Sequence, residues 1–327
     1  MVGRSMGINK KVSVIIPCYN HELYISKAIE SVLAQTYKYI EIIVIDNGST
    51  DGSRSIILTY KKYQDIKIIL HDTNIFHPSD GGFNVVGDAI RHSSGEFISI
   101  LYSDDWYLCD KIKKQMELFS RSKPSVGVVY CHGYRYFEAN NVKIKWNYQS
   151  KIIRGYVFKD YLSIGDVVIP ISPLVKRHCY EIIGLDNPWT GSEYDFLVMS
   201  QYVDFDFVND YLVVMRDHGF NDGKNTFSVY QRVKLYHSIV LLSSEAKIKA
   251  GSLIKNRIAR DYFSFGLTFI TQLDLVHAKE ALFEVIKVSP AYFLRPKFIF
   301  SLVLLLLPTS ILKYLIIKYR SRQLKHI

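Results

Sequence analysis

Three short polar clusters occupy the first third of the chain: Pro17-Cys18-Tyr19-Asn20, Asp46-Asn47-Gly48-Ser49-Thr50-Asp51-Gly52 and Ser103-Asp104-Asp105. Their carboxylate, amide and hydroxyl groups are those that hold a polar ligand by hydrogen bonds. Each cluster directly follows a short apolar run, at residues 12–16, 40–45 and 97–101. Continuous β-branched runs of that length are the pattern of strands buried on both faces of a parallel sheet.

The segments between these runs have helical periodicity. Ile25, Ala28, Ile29, Val32 and Leu33 share one helical face, a helix is expected over about 53–63, and another runs through Ala89 after a strand at 66–70. Strand–helix alternation implies a parallel sheet with right-handed crossovers. In such sheets ligands bind beyond the carboxyl ends of the strands, which is where all three clusters fall. An isolated Asp-Asn-Gly-Ser turn is usually only a turn, and Asp46 could simply cap the amides of Gly48 and Ser49. Three clusters at one edge make a site.

Beyond residue 126 the pattern is mixed, with short strands expected at 126–130 and 212–215. Helical periodicity takes over near Ser228 and continues through 233–242, 254–270 and 278–286. The expected division is 8–225 for the α/β domain and 226–327 for a helical C-terminal region.

The chain of 327 residues carries 41 Lys and Arg against 31 Asp and Glu, a net charge of +10. Nucleic acid, anionic lipid and phosphate-bearing substrates all suit such a charge. Position decides among them. No acid follows Glu284, whereas Lys287, Arg295, Lys297, Lys313, Lys318, Arg320, Arg322 and Lys325 do, in the most apolar part of the chain. A membrane surface is therefore expected as partner, and nucleic acid is not. Residues 298–312 are uncharged but would span roughly 22 Å as a helix, against about 30 Å of hydrocarbon. Pro308 interrupts them as well. An interfacial helix held by apolar burial and flanking cations is expected rather than a crossing; the alternative is a buried helix with a solvated basic tail. Cys18, Cys109, Cys131 and Cys179 form no CxxC pair, so reduced structural thiols and a cytoplasmic setting are expected. The run at 12–16 is too short for a signal-peptide core.

The stretches Val12-Ser-Val-Ile-Ile-Pro-Cys-Tyr-Asn20 and Ile42-Ile-Val-Ile-Asp46-Asn-Gly-Ser-Thr-Asp51-Gly52, with Ser94-Gly95-Glu96-Phe97-Ile98 and Ser103-Asp104-Asp105, resemble the opening of the family 2 glycosyltransferases, which have the GT-A fold. The resemblance implies a Rossmann-like, mostly parallel sheet and a nucleoside-diphosphate-sugar donor. Transfer from such a donor needs charge stabilisation of the departing diphosphate, which a divalent cation held by carboxylates supplies. By resemblance, Pro17, Tyr19, Asn20 and Asp46 contact the donor along with Ser103. Asp104, the last acid of a DxD-type motif, binds Mn²⁺ or Mg²⁺, and Asp105 is either a second polar contact or the N-cap of a following turn. Val214-Met215-Arg216-Asp217-His218-Gly219 resembles the family's Arg-x-His segment, which places Arg216 by the diphosphate and makes His218 a metal ligand or a structural histidine.

Inverting transfer also needs a general base. The family places it in an acidic pair ahead of a helix, and Gly191-Ser192-Glu193-Tyr194-Asp195-Phe196-Leu197 matches that pattern. Glu193 is then the base and Asp195 the runner-up, unless both are ordinary helix-start acids. Trp189 could stack on an acceptor sugar or simply pack.

The chain departs from the family where Tyr102 and Ser192 replace expected acids, and where Val86 and Gly87 replace an Arg and Asn near the diphosphate. Asn84 and Asp88 are the candidates to compensate. His21-Glu22 lacks the second His of a zincin helix. No Gln-x-x-Arg-Trp run is present, which argues for adding one residue at a time. The expected function is inverting transfer to a saccharide hydroxyl, on a lipid-linked acceptor in bacterial surface-polysaccharide assembly. The expected location is peripheral on the cytoplasmic face of the plasma membrane. Two alternatives stay open: a membrane-bound scaffold that binds sugar nucleotides without turning them over, and a nucleotidyltransferase. The latter would want a Gly-rich, basic loop after the first strand.

Overall fold

The computed structural model describes residues 9–74, 84–147, 151–186, 192–219, 221–241 and 243–323, with some side chains inside 192–193, 222, 239–245 and 319–323 left out. The chain divides into two compact units, residues 1–221 and 222–327.

Unit 1 opens with β1 (Val12–Cys18), α1 (Ile25–Leu33), β2 (Ile40–Asn47), α2 (Ser53–Thr59), β3 (Ile66–His71), α3 (Val85–Arg91) and β4 (Phe97–Ile100). β1 pairs in parallel with both β2 and β4, and β2 in parallel with β3. Val14, Ile15, Ile16, Ile43, Val44 and Ile45 are closed to solvent on both sheet faces, as their unbroken β-branched runs require. α1 lays Ile25, Ala28, Ile29 and Val32 against this sheet. Burial of each Ile contributes about 1.5–3 kcal/mol, and Ile25→Ala or Ile29→Ala would cost about 2–5 kcal/mol.

The rest of unit 1 is β5 (Trp106–Tyr107), α4 (Lys111–Phe119), β6 (Val126–Phe137), β7 (Val142–Trp146), α5 (Phe158–Ile164), β8 (Leu174–Lys176), α6 (Arg177–Ile183), α7 (Ser192–Met199) and β9 (Asp204–Asp217). The nine described strands form one sheet in the order β3-β2-β1-β4-β8-β6-β9-β5, with β7 on β6. Antiparallel pairings enter only after β4. β6 and β9 run parallel and are far longer than the short strands expected at 126–130 and 212–215. The extension of β6 is rich in Tyr, His and Arg and that of β9 in Asp and Phe, so both lack the apolar run that marks the inner strands.

β9 is what completes the site. β5 pairs Trp106 with Val214 and Tyr107 with Val213, so the residues just before β5 lie beside those that end β9.

Unit 2 contains α8 (Thr226–Tyr236), α9 (Ser244–Ala250), α10 (Ser252–Gln272), α11 (Leu275–Val288), α12 (Pro296–Leu306) and α13 (Thr309–Gln323). A π-helical turn, His237–Leu241, continues α8. α10 and α11 pack closely, with Gly266 giving way to Leu282, which a Cβ would meet at 2.7 Å. Pro308 separates α12 from α13, and no described helix is long and apolar enough to cross a membrane.

Candidate active site

Because β1, β2 and β4 are parallel, their carboxyl ends open on one edge, and the three polar clusters meet there. The first two are zipped together. Asn20 Oδ1 accepts from the Thr50 amide at 2.8 Å, and the Asn20 amide donates to Ser49 Oγ at 3.0 Å. The His21 amide donates to Ser53 Oγ at 2.8 Å, and Glu22 Oε2 accepts from the Gly52 amide at 2.6 Å. Asn20 has φ +52°, a region Asn tolerates better than most residues. Gly48 at φ +76° lies so close to Thr73 that a Cβ would sit 2.4 Å from its carbonyl carbon. Pro17 is half-buried at this edge, and Tyr19 is exposed.

Asp46 faces inward, fully closed to solvent. Its Oδ1 accepts from the Ser49 amide at 3.3 Å and its Oδ2 from Arg54 Nε at 2.8 Å. A second Arg54 nitrogen donates to the His71 carbonyl. Arg54, not anticipated from the sequence, thus stands between the Asp46 carboxylate and solvent. The turn-capping role of Asp46 is realised, and no surface of its carboxylate is open to a ligand.

The third cluster gathers two histidines. Asp104 Oδ2 lies 3.1 Å from His218 Nε2 across 114 residues of sequence, and it also accepts from Asn221 Nδ2 at 3.1 Å. His21 completes the group: ligand-capable atoms of His21, Asp104 and His218 all lie within 4.8 Å of one another. Ser103 Oγ is 2.7 Å from His21 Nδ1, which orients the ring and leaves Nε2 as its other nitrogen. Burial lowers the pKa of His21 despite the charge of Asp104, favouring the neutral imidazole that ligates metals. Burial pushes the Asp104 carboxyl up, but the His218 hydrogen bond and the charge of His21 outweigh it and hold it below its usual range. Two imidazoles and an ionised carboxylate suit a divalent transition-metal ion. His21 was weighed in the sequence only against a zincin pattern, and its place beside Asn20 was the signal available.

Two expected donor contacts turn inward. Asp105 is 2% exposed and its Oδ1 accepts from the Arg216 amide at 2.7 Å, so it ties β9 to the loop rather than reaching a ligand or capping a helix. Burial and the neighbouring Asp104 charge raise its carboxyl well above the usual range. Arg216 donates to the Asp104 carbonyl at 3.0 Å and to Glu138 Oε1 at 2.8 Å, and its guanidinium lies over the rings of Tyr24, Trp106 and Tyr136. It acts here as a brace for the Asp104 loop. Asn84 and Asp88 are likewise engaged: Asn84 caps α3 through the Gly87 amide at 2.8 Å, and Asp88 lies 3.4 Å from His71.

Glu193 lies in the first turn of α7, its side chain outside the described residues, as are Trp189 and Gly191. Asp195 is buried and raises the pKa of the Tyr180 and Tyr194 hydroxyls, behind burial itself as the main cause. The cysteines are free, as expected. Burial pushes Cys18, Cys131 and Cys179 up to about 12, which keeps them as inert thiols, whereas Cys109 is exposed.

A sheet of this order with polar loops at its carboxyl edge and a carboxylate–imidazole cluster defines a GT-A type α/β domain. Residues 13–170 match the family model described as Glycosyl transferase family 2. The chain carries a family 2 glycosyltransferase domain. An uncharacterized glycosyltransferase of Haemophilus influenzae is 31% identical over 180 residues, 54% of this chain and 66% of the relative. An uncharacterized glycosyltransferase of Rickettsia typhi is 39% identical over 121 residues, 37% of this chain and 35% of the relative. The putative teichuronic acid biosynthesis glycosyltransferase TuaG of Bacillus subtilis is 36% identical over 107 residues, 32% of this chain and 40% of the relative. The matches span little more than a third of the length of the first of these curated relatives.

Among solved structures, S. aureus TarS 1–349 in complex with UDP-GlcNAc superposes with a TM-score of 0.65 at 16% identity, covering 90% of this chain and 87% of that one. The Pyrobaculum calidifontis mannosyltransferase PcManGT, in complex with GDP-Man and Mn²⁺, gives 0.55 at 16% identity, covering 96% and 87%. At such identities the likeness is one of fold.

Proposed function

We propose that this chain transfers a sugar, with inversion, from a nucleoside-diphosphate sugar to a saccharide hydroxyl in surface-polysaccharide assembly. The observation that carries this reading is the convergence of His21, Asp104 and His218 at the carboxyl edge of a family 2 domain. The relatives add context: one solved neighbour holds a UDP-sugar, another GDP-Man with Mn²⁺, and TuaG is named for teichuronic acid synthesis.

Asp104, His218 and His21 are the residues that would hold a divalent cation, whose charge would stabilise the departing diphosphate. Two imidazoles in the donor set favour Mn²⁺ over Mg²⁺. Tyr19 and Asn20 offer the exposed ring and the polar edge for the nucleoside, while Asp46 with Arg54 fixes the wall beneath them. Glu193 takes the acceptor proton, and the burial of Asp195 argues against Asp195 in that role. Unit 2 docks the enzyme on the cytoplasmic face of an anionic membrane, where nucleotide sugars and a lipid-linked acceptor meet. Support comes from the exposed Leu294, Phe300 and Leu306 beside a segment with no acid after Glu284.

The test is thermal shift with UDP-, GDP- and dTDP-sugars, with and without Mn²⁺. Metal-dependent stabilisation by one nucleotide class is expected. A folded protein that responds to none of them overturns the proposal.

A further inference from the structure

Tyr24 lies against the candidate cation site without offering it a ligand atom. One tight turn places it there. The His21 carbonyl accepts from the Tyr24 amide at 2.9 Å and from the Ile25 amide at 3.0 Å, which folds the chain back as α1 begins. The half-buried Tyr24 ring then meets both histidines. Its centroid is 4.8 Å from that of His218, tilted by 35°, and 5.7 Å from that of His21 in an edge contact. The two imidazoles are themselves 5.9 Å apart and nearly perpendicular. His21 and Tyr24 come from the β1–α1 loop and His218 from just beyond β9, so the ring joins segments far apart in sequence.

Tyr24 is held in turn by its hydroxyl, which donates to Glu138 Oε2 at 3.0 Å. Glu138 directly follows β6, and its Oε1 accepts from Arg216 at 2.8 Å. The Arg216 guanidinium lies 4.7 Å from the Tyr24 ring centroid, a cation–π contact, and donates to the Asp104 carbonyl at 3.0 Å. Asp104 reaches His218 at 3.1 Å, and His218 packs on Tyr24, which closes the circuit. A hydrogen bond to one nitrogen fixes a direction but lets an imidazole roll about it. A ring packed against the imidazole removes that freedom. Ser103 supplies the first restraint for His21, and Asp104 for His218. Tyr24 supplies the second for both.

The geometry points to the Tyr24 ring as a positioning residue for the His21–Asp104–His218 group. The inference rests on the reading of that group as a cation site. Tyr24 binds no ion itself; it holds the two imidazoles in the orientation that an ion needs and so sets the affinity of the site. Outer partners of this kind are worth about 10–100-fold in metal affinity.

Mn²⁺ titration followed by electron paramagnetic resonance tests it on the full chain, in the wild type, Tyr24→Leu, Tyr24→Phe and Asp104→Ala, with the metal-free Tm of each. Tyr24→Leu is expected to bind Mn²⁺ about 10–100-fold more weakly, with altered nitrogen hyperfine coupling. Tyr24→Phe, which keeps the ring, is expected to recover most of the affinity. Should Tyr24→Leu be unfolded without metal, Tyr24→Met takes its place. Wild-type affinity and coupling in Tyr24→Leu, while Asp104→Ala loses the ion, overturns the positioning role alone, and a lowered metal-free Tm with that affinity intact reduces Tyr24 to packing. Tyr24→Phe binding as weakly as Tyr24→Leu assigns the effect to the hydroxyl and overturns the role of the ring. A wild type that binds Mn²⁺ no better than Asp104→Ala overturns the cation site itself, and this inference with it.

Discussion

In unit 1 the strand residues Val14, Ile15, Ile16, Ile43, Val44 and Ile45 are closed to solvent, while in unit 2 Leu294 and Leu306 are 80% and 85% exposed. The polar groups overlap more. Unit 1 buries and ties Asp46, Asp105 and Lys111 and unit 2 buries Arg232 and His237, but unit 2 also sets Lys247 and Lys255 outward around a cavity. A unit that closes its own core and spends buried charges on holding loops is built to fix geometry at a reacting centre. A unit that leaves large apolar side chains uncovered next to cations is built to meet another surface. Variants in one unit should therefore change turnover and leave membrane attachment alone, and variants in the other should do the reverse.

The largest separation is expected from Glu193→Gln. Transfer should fall by about 10²–10⁴-fold, the range that general-base catalysis contributes, while donor binding and vesicle binding persist. Steady-state kinetics beside thermal shift reads this; unchanged turnover removes Glu193 from the mechanism. Leu294→Glu/Phe300→Glu/Leu306→Glu should do the converse, lowering co-sedimentation with anionic vesicles by at least about tenfold, given roughly 1.5–3 kcal/mol for each large apolar side chain removed from water. Undiminished sedimentation would mean that these side chains are not the contact.

Two smaller effects probe the buried charges of unit 1. Lys111 is closed to solvent, donates to Ser99 Oγ and to the Pro173 carbonyl at 3.3 Å, and lies over the Tyr107 ring at 4.1 Å. Burial pushes its ammonium down to about 7. Because the folded pKa lies below the unfolded one, the penalty is complete below pH 7 and fades as pH rises toward the unfolded value of about 10.4. Lys111→Met should thus be more stable than the wild type at pH 6, by about 1–3 kcal/mol, with the gap closing by pH 10. Chemical denaturation at both pH values checks it, and a less stable variant at pH 6 would show that the lysine's hydrogen bonds outweigh its desolvation.

Glu41 has the opposite sign. Burial works against its charge, but Ser13, the Ser94 amide and Lys11 hold it at about 2, and Gly95 donates to it as well at 3.0 Å. A depressed carboxylate stabilises above its unfolded pKa of about 4.3, and that contribution is lost as pH falls toward 2. The Tm gap between the wild type and Glu41→Gln should be full at pH 6 and shrink below pH 4. A constant gap would remove ionisation as the cause.

The parallel half of the sheet is legible in the sequence because its strands, buried on both faces, must be continuous runs of Val and Ile. The length of β6 and β9 is not, since polar residues interrupt both outside their apolar cores: Tyr, His and Arg in β6, and Asp and Asn in β9, whose Asp204-Phe205-Asp206-Phe207 alternation is too short to mark a long strand. The two-residue β5 carries no period either, and it is this strand that brings Asp104 to His218. His21 was hidden for the same reason: a ligand set drawn from residues 21, 104 and 218 has no spacing to recognise. The inward turn of Asp105 and the cover of Asp46 by Arg54 are tertiary facts, which residue type alone does not reveal. Lys111 was readable in principle, since it shares a helical face with the buried Gln115 of α4. A lysine within Lys-Ile-Lys-Lys looks like solvated surface.

The central claim is that His21, Asp104 and His218 form one cation site. Mn²⁺ titration followed by electron paramagnetic resonance, in the presence of the nucleotide that stabilises the protein, tests it directly. The prediction is one Mn²⁺ per chain with nitrogen hyperfine coupling from imidazole, and loss of that site in Asp104→Ala. Equal Mn²⁺ affinity in the wild type and Asp104→Ala, or a bound ion with no nitrogen coupling, would contradict it.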